Sequence, residues 1–218
     1  MWQARSDCGR GGSIDKFLTQ CRGVIHIGAN RAQERHKYAA QGLSVVWIEA
    51  IPSLCHAILG DIAQYDKQRL IQALIMDEDG KDCLLNVANN DGGSSSILEL
   101  QLHRELWPTV EFISKLHLKS STLPTALAAA GIDPSGYDAI VLDIQGAELM
   151  ALKGALPILK HVKFVQTEAA DFESYKGGAT VSQLSEFLAT CGFRLVRKEA
   201  FAGRVGVGFY YVLLFQRA

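Results

Sequence analysis

The sequence contains few prolines, almost no net charge and no long apolar stretch. There are 5 prolines in 218 residues, and 22 Lys and Arg face 23 Asp and Glu. The longest apolar runs, such as residues 210–215, are far shorter than the roughly 20 residues of a membrane-spanning helix. Balanced charge gives no electrostatic basis for tight nucleic-acid binding, so we expect neither a nucleic acid nor a membrane as a partner. The composition, 48% hydrophobic and 21% charged, predicts one globular domain over residues 1–218.

Cysteine and histidine also lack the spacings that hold disulfides or metals. The 5 cysteines are scattered without a Cys-x-x-Cys pair, and none of the 6 histidines forms a His-x-x-x-His pair. We therefore predict reduced thiols and no bound metal. Residues 1–13 are polar where an export signal would be apolar, which favours a cytoplasmic location.

Short apolar runs alternate with longer amphipathic stretches along the chain. This alternation predicts a mostly parallel sheet with helices on both faces, since strands buried on both sides lose the alternation of apolar and polar residues. The predicted strands are residues 24–27, 44–48, 69–75, 81–87, 138–142, 162–167, 193–196 and 208–216, and the ambiguous segment 97–121 contains a further strand candidate at residues 117–119. The predicted helices are residues 33–41, 52–65, 122–131, 148–159 and 181–191. The last two strands have no helix between them and are expected to form an antiparallel hairpin at one edge, and Asp79-Gly80 indicates a second hairpin turn.

The first two strands end in residues that suit a nucleoside. Gly28, Ala29 and Asn30 lead directly into a helix, where a ligand can approach backbone N–H groups. Glu49 closes the second strand, and a carboxylate there can accept both hydroxyls of a ribose. Asn30 and Gln33 occupy the second and third glycine positions of a Gly-x-Gly-x-x-Gly fingerprint, so a pyrophosphate would be poorly held.

Three acids follow the later strands and are predicted to share one rim of the sheet. Asp143 follows an apolar strand, Glu148 lies in the first turn of the next helix, and Glu168 ends the fifth strand of the sheet. A purely structural interpretation makes Asp143 a helix cap and Glu148 a partner of the helix dipole.

Four stretches, in this order, resemble the FkbM-type methyltransferase family, which belongs to the class I methyltransferases that use S-adenosylmethionine. Residues 24–34 (VIHIGANRAQE) are similar to the family's DIGANxGxE. Residues 90–96 (NDGGSSS) resemble its serine-ended loop. Residues 143–155 (DIQGAELMALKGA) match its Asp-x-Glu/Gln-Gly-x-Glu…Leu-Lys-Gly-Ala pattern, and residues 175–178, 187–188 and 192–193 fit its C-terminal stretch. His26 and Ala32 depart from the family's usual Asp and Gly, and a core role is the alternative for His26.

The resemblance implies a fold, a cofactor and a set of site residues. The fold is the Rossmann-like α/β class I sheet of seven strands, in the order 3-2-1-4-5-7-6 with strand 7 antiparallel. S-adenosylmethionine would contact the following residues: His26, Gly28, Ala29, Asn30, Glu34, Glu49, Ala50, Ala73, Leu74, Ser94, Ser95 and Asp143. In this scheme Glu49 holds the ribose, Ala73 and Leu74 flank the adenine, and the serine loop and Asp143 border the acceptor.

The predicted reaction is O-methylation of a hydroxyl on a small molecule or sugar. Asp143 or Glu168 is the predicted general base and Glu148 orients the site, because a hydroxyl is a poor nucleophile without a base. The alternatives are N-methylation of a peptide side-chain amide, a degenerate nucleoside-binding module and, on fold alone, a nicotinamide-dependent oxidoreductase. Residues 1–22 are predicted to be an N-terminal extension and residues 97–121 a cap over the acceptor site.

Overall fold

The computed structural model describes residues 14–218. The predictions about Cys8 and about an export signal in residues 1–13 therefore lie outside the described residues. A seven-stranded sheet has the order β3-β2-β1-β7-β8-β10-β9, and a three-stranded sheet has the order β4-β6-β5. The strands are β1 (Gly23–Ile27), β2 (Ser44–Glu49), β3 (Gln68–Gln72), β4 (Leu74–Ile75), β5 (Asp82–Ala88), β6 (Phe112–Ser121), β7 (Ala139–Leu142), β8 (Phe164–Ala170), β9 (Phe193–Arg204) and β10 (Gly208–Arg217). The helices are α1 (Arg35–Ala40), α2 (Pro52–Ile62), α3 (His103–Leu106), α4 (Leu123–Ala129), α5 (Glu148–Gly154), α6 (Leu156–Leu159) and α7 (Val181–Thr190), with 3₁₀ turns at Ile14–Gln20 and Pro134–Gly136.

The large sheet confirms the predicted class I topology. Its central strands β1 and β7 are buried at every residue, as expected for parallel strands covered on both faces. Strand β10 pairs antiparallel with both β8 and β9, which places the predicted C-terminal hairpin at the sheet edge. The predicted order 3-2-1-4-5-7-6 is thus realised by β3-β2-β1-β7-β8-β10-β9.

Two apolar clusters cover the two faces of this sheet. Helices α4, α5, α6 and α7 supply one cluster, which includes Leu127, Leu152 and Leu188. The 3₁₀ turn Ile14–Gln20 and helices α1 and α2 supply the other, in which Phe17 is 3% exposed. The described part of the predicted N-terminal extension is therefore packed into the core.

The prediction of one strand over residues 69–75 followed by a hairpin at Asp79-Gly80 is wrong. Strand β3 ends at Gln72, and β4 leaves the large sheet to pair with β6. Strands β4 and β5 do not pair, because β6 lies between them, parallel to β4 and antiparallel to β5. The partner strand β6 comes from the segment 97–121, which was predicted to be a cap. The local pattern therefore favoured the nearer pairing, between residues 69–75 and residues 81–87.

No helix that the structure describes, from residue 14 onwards, combines the length and the apolar character needed to span a bilayer.

The buried carboxylate of Asp138 forms ion pairs with two exposed basic side chains at the edge of the large sheet opposite the carboxyl ends of its strands. The Asp138 side chain is fully buried, and its Oδ2 accepts hydrogen bonds from the backbone N of Arg22 at 2.7 Å and from its Nε at 2.9 Å. Lys163 Nζ lies 3.2 Å from Asp138 Oδ1. The hydrogen bonds from Arg22 lower the pKa of Asp138 to about 2.

Replacing Asp138 by Asn is expected to lower the free energy of unfolding by about 2 kcal/mol at pH 7, since charge-assisted hydrogen bonds are lost. The depressed pKa means that the carboxylate stabilises the fold above pH about 4 and loses this effect as pH falls toward 2. Urea unfolding from pH 5 to pH 2 should therefore show a steeper loss of stability for the wild type than for Asp138→Asn. Asp82→Asn is the control, because its ion pair with Lys119 is exposed and should matter far less. Equal slopes for the wild type and Asp138→Asn would contradict the prediction.

Candidate active site

The strand registers bring the predicted site residues into one row across the sheet. Ile27 pairs with Ile48 on one side and with Leu142 on the other, and Leu142 pairs with Thr167. The residues that follow these four, Glu49, Gly28, Asp143 and Glu168, therefore lie side by side near the carboxyl ends of β2, β1, β7 and β8. Such an edge is where ligands bind in open α/β sheets. The prediction that Glu168 ends its strand is wrong by two residues, because pairing with β10 extends β8 to Ala170.

The turn after β1 depends on a close backbone contact with β7. Gly28 has φ +85°, and a Cβ at this position would lie 2.0 Å from the carbonyl oxygen of Asp143. The N–H groups of Gly28 and Ala29 donate to the carbonyl of Ile48 at 2.9 and 3.1 Å. Only glycine fits this position, which brings the backbone of three strands together. Ala32 also has a positive φ, +48°, which gives a physical reason for the glycine that the family usually has there.

Glu49 connects the two turns that border the site. Its Oε2 accepts a hydrogen bond from the backbone N of Asn30 at 2.8 Å, and its Oε1 accepts from the backbone N of Ala50 and Ile51 at 2.8 and 2.9 Å. The residue is 7% exposed, and burial raises the pKa of its carboxyl despite these bonds. Glu49 therefore holds the turns after β1 and β2 together and also lines the cleft.

The serine loop, residues 89–96, folds against the turn after β1. Asn30 Nδ2 donates to the carbonyl of Asp91 at 3.0 Å. Ser95 Oγ accepts from the N–H of Ala88 at 3.0 Å, and Ser96 Oγ donates to the carbonyl of Gln145 at 2.8 Å. The consecutive serines thus bond to different parts of the chain and hold the loop in place.

Gln145 and Tyr175 hold Asp143. Gln145, which has φ +55°, donates from Nε2 to Asp143 Oδ1 at 2.6 Å, and Tyr175 Oη donates to Gln145 Oε1 at 2.8 Å. Tyr175 is 1% exposed. Both residues lie in stretches that resemble the family, but no feature of those stretches indicates that Gln145 and Tyr175 contact one another.

The three predicted catalytic acids are not equivalent. Asp143 and Glu168 are partly exposed neighbours, whereas Glu148 is 2% exposed and accepts a hydrogen bond from the N–H of Ile144 at 3.1 Å. Burial raises the pKa of Glu148 to about 7, and the nearby Asp143 adds to the shift. Glu148 therefore supports the loop that carries Asp143, and the two other acids are the ones open to a ligand.

His26 packs into an aromatic group on one face of the sheet. Its Nδ1 lies 3.2 Å from Tyr38 Oη, and its ring centroid lies 4.9 Å from that of Trp47. His26 is 6% exposed and contributes only a small surface to the lining of the cleft. The alternative of a core histidine is thus compatible with its surroundings.

A single cleft of about 710 Å³ contains all the predicted site residues. Its lining includes the following: His26, Gly28, Ala29, Asn30, Glu34, Glu49, Ala50, Ala73, Leu74, Ser94, Ser95, Asp143, Glu148 and Glu168. Six acids line it, Glu34, Glu49, Asp91, Asp143, Glu148 and Glu168, against one permanent cation, Arg31. Among residues 14–218, no group of three His, Cys, Asp or Glu side chains is placed to hold a metal ion.

One side of the cleft is aromatic and comes from two distant parts of the chain. His103 and Trp107 lie in the predicted cap segment, whereas Phe201 and Tyr210 come from the β9–β10 hairpin. Glu105 and Arg204 form an ion pair at 2.9 Å between the two parts. The sequence predicted a cap at residues 97–121, but β6 occupies the end of that segment, and no signal indicated the hairpin residues.

The crowding at Gly28 can be tested against a second glycine. Gly28→Ala should lower the free energy of unfolding by more than about 3 kcal/mol, because the new methyl group must displace the Asp143 carbonyl as well as adopt a left-handed backbone. Gly42 has a similar φ of +69° with no atom near its Cβ position, so Gly42→Ala should cost about 1–2 kcal/mol. Denaturant unfolding measures both, and equal losses would show that the β1–β7 contact is not tight.

The buried carboxyl of Glu148 should give a pH-dependent contribution to stability. Because its folded pKa of about 7 lies above the ordinary 4.5, it stabilises the fold fully below pH 4.5, and this effect is lost as pH rises through 7. Between pH 4.5 and pH 8, the free energy of unfolding of the wild type relative to Glu148→Gln should fall by about 3 kcal/mol. A constant difference across this range would contradict the assignment. Glu173→Gln serves as the control, because it makes the same substitution at an exposed acid.

The chain is similar to one curated methyltransferase and to solved structures of the same fold. The 2-O-methyltransferase NoeI of Sinorhizobium fredii (strain NBRC 101917 / NGR234) is 24% identical over 181 residues, which are 79% of this chain and 72% of that protein. Among solved structures, Sp1610 of Streptococcus pneumoniae has a TM-score of 0.50 at 12% identity, covering 90% of this chain and 64% of that one. The methyltransferase domain of bacterial CtHen1 also has a TM-score of 0.50, at 10% identity, and 93% of each chain is covered. The two structures support the fold.

The family is shown by a match over most of the chain. The model of the methyltransferase FkbM domain matches residues 26–195, which span the row of site residues from Gly28 to Glu168. Members of this family use S-adenosylmethionine as the methyl donor. The chain therefore belongs to the FkbM methyltransferase family and is an S-adenosylmethionine-dependent methyltransferase.

Proposed function

We propose that this enzyme methylates a hydroxyl group of a neutral small molecule or sugar. The observation that carries the proposal is the pair of partly exposed carboxylates, Asp143 and Glu168, side by side on adjacent strands in a cleft whose lining, among residues 14–218, has six acids and one permanent cation. Carboxylates accept hydrogen bonds from hydroxyl groups, whereas an anionic acceptor would be repelled. The similarity to NoeI, a 2-O-methyltransferase, supports oxygen as the methylated atom.

The residues around Gly28 and Glu49 suit S-adenosylmethionine. Gly28 and Ala29 leave the turn free of large side chains, so a ligand can approach the backbone there. Glu49 already receives three backbone N–H groups, which fix its carboxylate for further hydrogen bonds from ribose hydroxyls. Ala73 and Leu74 offer apolar surface beyond Glu49, on the adenine side. When bound, the cofactor supplies a methyl group activated by a positively charged sulfur.

In the proposed mechanism, Asp143 and Glu168 act on the acceptor. One of the two carboxylates accepts the proton of the acceptor hydroxyl, a contribution of about 10²–10⁴ in rate. Gln145 and Tyr175 hold Asp143 in one orientation, while Glu148 supports the backbone at Ile144. Alignment of the reacting groups in the cleft can supply about 7–11 kcal/mol more.

The proposal is tested with methyl-tritiated S-adenosylmethionine and the methyl α-glycosides of glucose, mannose, galactose, rhamnose and fucose. We expect at least one glycoside to be methylated, and NMR of the product should show an O-methyl group. Asp143→Asn or Glu168→Gln should lower kcat by about 10²–10⁴. Binding of S-adenosylhomocysteine, measured by calorimetry, should stay within a few-fold of the wild type in the variant that removes the base.

Asp171→Asn is the matched control, because Asp171 follows β8 closely but does not line the cleft. It should keep the turnover of the wild type. Wild-type turnover in both Asp143→Asn and Glu168→Gln would exclude a carboxylate base. Methylation of a peptide amide and of no glycoside would instead establish the N-methylation alternative.

A further inference from the structure

A chain of hydrogen bonds that the mechanism does not use crosses the cleft wall. Asn90 Nδ2 donates to Ser94 Oγ at 2.9 Å, and Ser94 Oγ lies 3.3 Å from His103 Nε2. His103 Nδ1 lies 2.8 Å from Tyr210 Oη. The chain therefore connects the serine loop to the β9–β10 hairpin through one histidine.

The tautomer of His103 decides in which direction the donors along this chain run, and we adopt the order that begins at Asn90. Ser94 Oγ already accepts from Asn90, so its own proton is available for His103 Nε2. A neutral histidine that accepts at Nε2 carries its proton on Nδ1, and that N–H donates to Tyr210 Oη. The Tyr210 hydroxyl also has a side-chain hydrogen bond with Ser174, which lines the cleft. With His103 and Ser174 both donating to its oxygen, the proton of Tyr210 is available for a partner within the cleft.

The side chains of His103 and Tyr210 are packed among aromatic rings and are uncharged at neutral pH. His103 is 3% exposed and Tyr210 is 7% exposed. The His103 ring stacks on Trp107 at 4.6 Å, and Trp107 meets Tyr210 edge to face at 5.0 Å. Burial lowers the pKa of His103 to about 4 and raises the pKa of Tyr210 above its ordinary range. At neutral pH neither group is suited to exchange a proton with the acceptor, so the chain can orient a hydroxyl but not act as the base.

Tyr210 lies on the same face and at the same edge as one of the catalytic acids. Val212 pairs directly with Glu168, and Tyr210 is two residues from Val212 along β10, so its side chain points to the same side of the sheet. Tyr210, Glu168 and Asp143 all line the cleft. A ligand that reaches the two carboxylates thus has the Tyr210 hydroxyl and the Trp107 ring beside it.

We propose that Tyr210 binds the methyl acceptor by donating a hydrogen bond from its hydroxyl, and that His103 is a positioning residue that orients this hydroxyl. The inference rests on the proposed function, since it takes the acceptor to be a neutral hydroxylated ring. Such a ring offers C–H faces to the Trp107 and Tyr210 aromatics and oxygens to the Tyr210 hydroxyl.

The first experiment measures binding without turnover. The protein is saturated with S-adenosylhomocysteine and titrated with the five methyl glycosides, while the indole N–H signals are followed by NMR. At least one glycoside should bind, and Tyr210→Phe should weaken its binding about three- to tenfold, the worth of one neutral hydrogen bond. Tyr211→Phe is the matched control: its hydroxyl donates to Asp171 at 3.1 Å outside the cleft, and its affinity should equal that of the wild type.

The second experiment separates positioning from a structural role by a double-mutant cycle. His103→Phe keeps a ring against Trp107 but removes Nδ1, so it should weaken glycoside binding about as much as Tyr210→Phe in the wild-type background. In the Tyr210→Phe background it should have no further effect on glycoside affinity, although it still lowers the melting temperature. Additive losses in affinity would overturn the positioning role of His103.

The outcomes distinguish this inference from the proposed function. If glycosides bind with the predicted Tyr210 dependence but none is methylated, the proposed reaction fails and the binding role of Tyr210 stands. If a glycoside is methylated while Tyr210→Phe binds it as tightly as the wild type, the reaction stands and the Tyr210 role is overturned. Absence of glycoside binding to the wild type overturns the Tyr210 role as stated.

Discussion

The active cleft depends on the contact between the turn after β1 and the end of β7. The backbone of Gly28 approaches the Asp143 carbonyl so closely that any side chain would collide with it. This contact allows the turn at Gly28 and the proposed catalytic acid Asp143 to lie side by side, and the pairing of β1 with β2 adds Glu49 to the same row. A parallel sheet covered by apolar helices is rigid, so the positions of these groups are set by the core rather than by the loops.

Polar groups in the cleft are kept in place by one another. Glu49 binds the backbone of two turns, Gln145 binds Asp143, and Ser96 binds the carbonyl of Gln145. Each of these groups would be costly to bury without a partner, so the network stabilises one arrangement of the site. The same principle extends to the aromatic wall, where His103 satisfies both Ser94 and Tyr210.

The secondary structure was largely predictable, and the errors have physical reasons. The apolar runs of β1, β2, β7 and β8 identified the central strands, because burial on both faces leaves a clear pattern. Strand β6 was missed over most of its length because it alternates exposed and half-buried residues in a small sheet. The hairpin predicted at Asp79-Gly80 is wrong for the same reason. Strands β4 and β5 each pair with β6, which lies about forty residues further along the chain, and not with each other.

The sequence by itself determined where three of the central strands end and that Glu168 lies near the end of a fourth, and hence the row of Gly28, Glu49, Asp143 and Glu168 at the carboxyl edge of the sheet. It could do so because strand ends and small-residue turns are local features that survive in a pattern of apolar and polar residues. Only the tertiary structure decided that Glu148 is buried, that Gln145 and Tyr175 hold Asp143, and that Tyr210 faces the cleft beside His103. The Gln145–Tyr175 and His103–Tyr210 contacts join residues 30 and 107 positions apart, and such contacts arise from packing and register, which no local pattern encodes.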